Sequence, residues 1–213
     1  ACRKHACLNS NAQMKKPVTI EDHQNSPMVI DPFHLLDICL VSDGGAAVLV
    51  TSAETAGSLK SKPVFISGVG EGHNAYHLDN AVSLTEFEGT KNSAKNALKM
   101  AGLELGDIDL AEIYDCFTYT MLVQLEDYGF CRKGEGGAFV ENGRIELGGD
   151  LPVNTHGGLL SQAHLDGMAH ITEAVKQLRG VCGDRQVKDA EVALVTGNGG
   201  HFFTSHSTLL LRR

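Results

Sequence analysis

The chain has 213 residues, 42% of them hydrophobic, which is enough to bury a core and argues against disorder. Its 26 acidic residues outnumber its 18 basic ones, and the formal charge of −8 is spread rather than blocked, so there is no basic stripe for a polyphosphate backbone and nucleic acid is not an expected partner. No apolar run approaches the roughly 20 residues that cross a bilayer, and residues 1–20 lack a signal-type apolar segment; no membrane contact and a cytoplasmic location are expected.

The six cysteines, Cys2, Cys7, Cys39, Cys116, Cys131 and Cys182, form no CxxC pair, and free thiols in a reducing compartment are expected. Cys2 and Cys7, with His5 and His23 nearby, match no common zinc-finger spacing, so no metal ligand set is read from the sequence. Residues 1–16 have the character of a polar helix end running into a loop, with no strand to open a domain; a cut through a longer protein is expected, with residues 1–36 as a trailing region and 37–213 as a domain.

From Asp37 onward strand and helix signals alternate, as in a layered α/β fold. Ala46–Val50 and Pro63–Gly68 are continuous apolar runs bounded by Gly or Pro, predicting central strands buried on both faces. Ala94, Ala97, Leu98 and Ala101 recur at helical spacing before Gly102, a C-terminal signal. A short strand is predicted over Ile108–Tyr114 and a helix over Thr118–Gly129. Residues 131–153, rich in Gly and charge, predict a surface excursion with a small hairpin around Glu141–Gly143. A third helix is predicted from about Ser161 to Arg179, followed by a strand at Val192–Thr196, a turn at Gly197–Gly200 and an antiparallel strand at Ser207–Leu211. The result is a mixed β-sheet covered by helices.

Three segments fall at strand ends and helix starts, where α/β folds place functional groups: Tyr114-Asp115-Cys116-Phe117, Asn154 to His164 (NTHGGLLSQAH), and Gly197-Asn198-Gly199-Gly200-His201. Each alone is weak; a GNGG turn is ordinarily just a hairpin with positive φ. Together, and in this order, they resemble the C-terminal half of the thiolase superfamily. Asn154-Thr155-His156-Gly157-Gly158 followed by His164 is similar to the thiolase segment whose histidine activates the nucleophilic cysteine, with Ala163-His164-Leu165 where GHP is usual. Glu112-Ile113-Tyr114-Asp115-Cys116-Phe117 resembles the Asn-Glu-Ala-Phe motif, and more nearly the His-Asp-Cys-Phe version of the sterol-carrier-protein type. Ser42-Asp43-Gly44-Gly45-Ala46-Ala47 resembles the family's Asp-Gly-Ala-Ala strand entry.

The resemblance implies a two-half αβαβα architecture of which 37–213 is the C-terminal domain, and an acyltransferase acting on acyl-CoA, with coenzyme A as co-substrate and no covalently bound cofactor. The nucleophilic cysteine would lie in an N-terminal half, through which a homodimer forms, so this piece alone is expected to be inactive. On the same basis His164 is the expected base, Tyr114 an oxyanion donor and His156 an accessory proton carrier. Asn154, Gly157, Gly158, Cys116, Phe117, Gly197, Asn198 and Gly199 would line the substrate. Gly197 stands where a second catalytic cysteine or histidine belongs, and glycine moves no proton, so His156, Cys116 or His201 must substitute or the reaction differs. Thiolase-like aldolases cleaving β-hydroxyacyl-CoA, some needing a small zinc-ribbon and OB-fold partner, are the alternative that Tyr114 and Gly197 suit. A non-catalytic acyl-CoA or lipid-binding protein is a third.

Overall fold

Four strands, β3 (Phe65–His73), β4 (Leu110–Glu112), β5 (Val192–Gly199) and β6 (Ser205–Arg212), form one sheet in the order β3-β6-β5-β4. The computed structural model describes residues 1–74, 82–200 and 203–213. β6 runs antiparallel to both β3 and β5, and β4 pairs with β5 in parallel, so the sheet is mixed as expected. Period-two alternation sorts the side chains. Leu194 and Leu210 face one side with Ala111, while Ala193, Val195 and Leu211 face the other with Leu110.

Helices cover both faces. α4 (Glu88–Ala101) and α5 (Thr118–Tyr128) pack on the first through Ala94, Ala97, Met121 and Leu125; α8 (Met168–Arg179) covers the second through Ala174 and Leu178. Each of these helices stops at a glycine in the left-handed region, Gly102, Gly129 and Gly180, where a side chain would be strained. α4 comes unusually close to β3. A Cβ on Gly68, Gly70 or Gly72 would overlap the backbone carbonyl oxygen of Ala97, Ser93 or Gly89.

The remaining elements are short: α1 (Cys2–Cys7), α2 (Ile20–Gln24), the two-stranded pair β1 (Met28–Ile30) and β2 (Phe33–His34), α3 (Ala53–Gly57), α6 (Gly136–Phe139) and α7 (Gly158–Ser161). Among the described residues, no helix is long and apolar enough to cross a membrane.

The structure corrects four local expectations. Ala46–Val50 is not a strand: its backbone pairs with no described neighbour, and Leu49 stays 86% exposed. The apolar run beginning at Pro63 is an edge strand, β3, with Phe65, Ile66 and Val69 exposed, because β6 pairs with it on one side only. There is no hairpin around Glu141–Gly143. The chain instead reverses at 146–150, where Leu151 N donates to Arg144 O and Val153 N to Ile145 O, and this buries Ile145, Leu151 and Val153 in the core. The third helix is also not continuous from Ser161. It breaks after α7 and restarts at Met168, because Asp166 and Gly167 both take positive φ.

Candidate active site

β4 runs parallel to β5 and ends at Glu112 opposite Val195, and in α/β folds the carboxyl ends of parallel strands are where sites are built. Tyr114 lies two residues past β4. Its N–H donates to Thr196 Oγ1 at 2.9 Å and its carbonyl accepts from Gln124 Nε2 at 2.7 Å, while Thr196 Oγ1 donates to Gln124 Oε1 at 2.7 Å. The backbone at Tyr114 is thus fixed from β5 and α5 together. His164 reaches the same place from the break between α7 and α8, not from a helix start as expected. Ser42 Oγ accepts its backbone N–H at 3.0 Å, which brings the Ser42–Ala47 segment to the site.

Tyr114 Oη and His164 Nε2 are 3.3 Å apart, with the rings edge to face, and Asp166 Oδ1 lies 3.6 Å from His164 Nδ1. Burial, with the nearby Cys116 and Asp166 adding to it, raises the Tyr114 hydroxyl far above the usual phenol range. The phenol therefore stays protonated and available as a donor, and His164, a quarter exposed, presents one nitrogen to it.

Beneath Tyr114 lies a wholly buried polar layer. His170 stacks under the Tyr114 ring at 6.3 Å, with its Nε2 3.2 Å from Asp115 Oδ1. His156 meets His170 edge to face at 4.8 Å and places Nδ1 2.8 Å from Glu112 Oε2, an ion-pair approach outside hydrogen-bonding geometry. Burial alone would depress His156, but Glu112, Glu173 and Asp115 outweigh it and hold the imidazole above its ordinary value. Glu112 Oε1 accepts from Thr155 N and Oγ1 at 3.1 and 2.9 Å. Thr155 also bonds Glu173, which pairs with Arg185. Although burial works against ionisation of Glu173, His156 and Arg185 overcome it and keep the carboxyl below its usual range. Glu112, His156 and His170 are the group among the described residues that could hold a metal ion. Glu112, Asp115 and His170 are not legible as partners from linear spacing; the available signal was a glutamate inside the otherwise apolar strand run IDLAEIY.

The other anticipated residues fall into separate places. Asn154 is buried, at φ 52°; its side chain accepts from Ile113 N at 2.6 Å and donates to Ile113 O at 2.8 Å, tying the loop to the end of β4. Gly157 and Gly158 have positive φ and sit against Ala6 of α1 and the Asp115 carboxylate; a Cβ at Gly158 would overlap Asp115 Oδ2. Asp115 Oδ1 accepts Leu159 N at 2.8 Å there. Cys116, close to Tyr114, packs with Phe117 against the Phe87–Val123–Phe203 cluster. Burial pushes the Cys116 thiol up to about 12, and Phe117 packs on Phe33. Gly197, Asn198 and Gly199 extend β5 beside β6. Gly197 faces Ser207, whose Oγ would lie 2.6 Å from a Cβ at that position. His201 lies outside the described residues.

Residues 70–213 match the thiolase C-terminal domain-like family. The chain is 41% identical over 200 residues to an acetyl-CoA acetyltransferase of Methanothermobacter thermautotrophicus, covering 92% of this chain and 52% of that protein. It is 42% identical over 208 residues to the 17-hydroxy-3-oxo-4-pregnene-20-carboxyl-CoA lyase of Mycobacterium tuberculosis, covering 94% and 53%. Among solved structures, the Ltp2-ChsH2(DUF35) aldolase superposes with a TM-score of 0.92 at 39% identity, covering 99% of this chain and 56% of that one. The chain spans about half the length of the curated relatives it matches. The family match over residues 70–213 spans most of the chain, and the chain belongs to the thiolase C-terminal domain-like family.

Proposed function

We propose that this chain is the C-terminal part of a thiolase-like aldolase that cleaves the Cα–Cβ bond of a β-hydroxyacyl-CoA, releasing an aldehyde or ketone and a shorter acyl-CoA. The observation that carries the reading is the 3.3 Å contact between Tyr114 Oη and His164 Nε2 just past the end of β4. A phenol and an imidazole in contact form a proton-transfer pair, and the nearby Cys116 thiol, pushed up to about 12 by burial, is a poor source of thiolate, while by the family resemblance Gly197 stands where a second acid/base group belongs. Retro-aldol cleavage needs no acyl-enzyme thiolate. It needs a base for the β-hydroxyl, a donor for the enolate oxygen, and a proton returned to Cα.

In this reading the substrate hydroxyl gives its proton to the Tyr114 oxygen as the phenol proton passes to His164 Nε2. The Cα–Cβ bond breaks, the β-carbon becomes a carbonyl and its bonding electrons form the thioester enolate. The imidazolium, with Asp166 beside Nδ1, then returns the proton through Tyr114 to Cα, so the pair ends as it began. Relatives named as lyase and aldolase support this reading, and the name of the former points to bulky CoA thioesters as substrates. The likeness to the Ltp2-ChsH2(DUF35) aldolase also supports a small partner subunit of the ChsH2(DUF35) kind, for which a zinc-ribbon and OB-fold build is the expectation; a homodimer of the parent chain is proposed as well.

A second reading, a thiolase-type acyltransferase with coenzyme A as co-substrate, is favoured by His164 in the segment that resembles the family's base and by the acetyl-CoA acetyltransferase relative. Full-length protein, with and without its partner subunit, separates the two. Carbonyl release from a β-hydroxyacyl-CoA is expected. Thiolysis of a β-ketoacyl-CoA by free coenzyme A, with no cleavage of the β-hydroxy substrate, would overturn the aldolase in favour of the transferase.

A further inference from the structure

The buried layer beneath Tyr114 contains polar atoms that its hydrogen bonds leave unused. Glu112 Oε2, both ring nitrogens of His156 and Nδ1 of His170 are fully enclosed and have no hydrogen-bond partner of good geometry among the described residues. The side chains carrying them are 0%, 3% and 0% exposed. Orphaned buried acceptors are costly individually, and several converging on one point call for a shared partner.

We propose that Glu112, His156 and His170 bind a divalent first-row transition-metal ion, zinc foremost, as a structural site behind the Tyr114–His164 pair. One ligand atom from each residue lies within 4.8 Å of the others. The 2.8 Å approach of His156 Nδ1 to Glu112 Oε2 is poor as a hydrogen bond; neighbouring ligands on a tetrahedral ion with bonds of about 2.1 Å stand about 3.4 Å apart, so the two atoms need part by only about half an ångström to share one. The outer contacts are already built. His170 keeps one nitrogen on the Asp115 carboxylate, the arrangement that orients ligating imidazoles, and Asp115 is itself held by Leu159 N. Glu112 leaves one oxygen free because Thr155 occupies the other.

Charge and donor type agree. Glu112 and Asp115 are both buried, and the arginine of this network, Arg185, is engaged with Glu173; a dication would take over from the proton on His156 the neutralising of these carboxylates. Two imidazoles and a carboxylate suit zinc or ferrous iron rather than calcium or magnesium. Because His170 stacks under Tyr114, an ion on that ring would fix the plane on which the phenol rests. The site thus goes beyond the aldolase reading and does not depend on it.

Full-length protein produced with zinc and passed over a chelating resin is expected to retain stoichiometric zinc by mass spectrometry. Cobalt substitution is expected to give weak visible bands without the near-ultraviolet charge transfer of thiolate ligation, which excludes the neighbouring Cys2 and Cys182. Asp115→Asn preserves an acceptor for Leu159 N but weakens orientation of His170, and metal affinity is expected to fall about 10- to 100-fold; His170→Gln is expected to lose the ion. Should that variant fail to fold, wild-type protein refolded with and without zinc gives the second measurement, with a higher melting temperature expected in the zinc-loaded form. Equal melting temperatures, a thiolate charge-transfer band, or retention unchanged in Asp115→Asn would each overturn the site.

Discussion

At the residue scale the proposed chemistry rests on one contact, so its loss must be visible in rate rather than in folding. Tyr114→Phe keeps the ring against His170 and removes only the hydroxyl 3.3 Å from His164. On the aldolase reading kcat for β-hydroxyacyl-CoA cleavage should fall by a factor of about 10² to 10⁴, the usual worth of a positioned acid/base group, with the melting temperature little changed. His164→Gln should lose a similar factor, and the double variant little more than either single one, because the two residues act as a unit. Multiplicative losses measured in steady-state kinetics would show that the pair does not work together. Gly158 makes a different kind of prediction. At φ 66° and against Asp115 Oδ2, Gly158→Ala should destabilise the protein by roughly 2 kcal/mol or more, read from urea unfolding. It should also lower activity, since the displaced loop leads into His164.

At the element scale, three alternate glycines of β3 lie against Gly89, Ser93 and Ala97 of α4, small residues spaced four apart along one helix face. Backbone thus meets backbone where side chains would normally separate helix from sheet. Gly70→Ala must push α4 away from β3, because the new Cβ would overlap a backbone carbonyl that has no rotamer to escape into; a loss on the order of 2 to 3 kcal/mol is expected. Gly106→Ala, where a Cβ meets nothing within 4 Å, should be neutral or stabilising by under about 1 kcal/mol. Similar unfolding midpoints for the two variants would refute this close-packing account.

Much of this architecture was legible in the sequence. The α4 stripe, the α5 stripe with its terminal glycine, and the β5–β6 pair all follow from apolar period and turn residues, which are local properties. Ala46–Val50 misled because an apolar run reports a need for burial without naming what supplies it. The break before α8 was obscured because Leu165 and Met168 continue the helical spacing straight through Asp166-Gly167. The site was half legible. Tyr114 and His164 lay in segments that resemble known motifs, whereas the Glu112–His156–His170–Asp115 layer unites residues up to 58 apart in sequence through the bridge of Val153 to Ala111 of β4 and the return of α8.

For the molecule as a whole, a histidine outside the site links stability to pH. His206, 3% exposed on β6, has Nδ1 2.8 Å from Thr90 Oγ1 and Nε2 2.8 Å from Phe203 O and 2.9 Å from Asn74 Nδ2, so the ring bridges β6 to α4. Burial, partly opposed by the Phe203 carbonyl and assisted by His73, lowers its pKa to about 4. Because the folded value lies below the unfolded value of about 6.5, the unfolded chain binds more protons between the two. Stability must therefore fall as pH drops through that window and level off, as far as this group contributes, below about 4. The full loss is roughly 3 kcal/mol. His5 is depressed by burial in the same direction and, like any other titrating group, contributes to the total slope, so a wild-type curve alone assigns nothing to His206. Comparison with His206→Gln, which keeps a donor and an acceptor but cannot titrate, isolates the term. Between pH 6.5 and 4 the wild type should lose roughly 3 kcal/mol more than the variant in urea unfolding of the full-length protein, and parallel curves would mean that His206 takes up its proton in the folded state as easily as in the unfolded one.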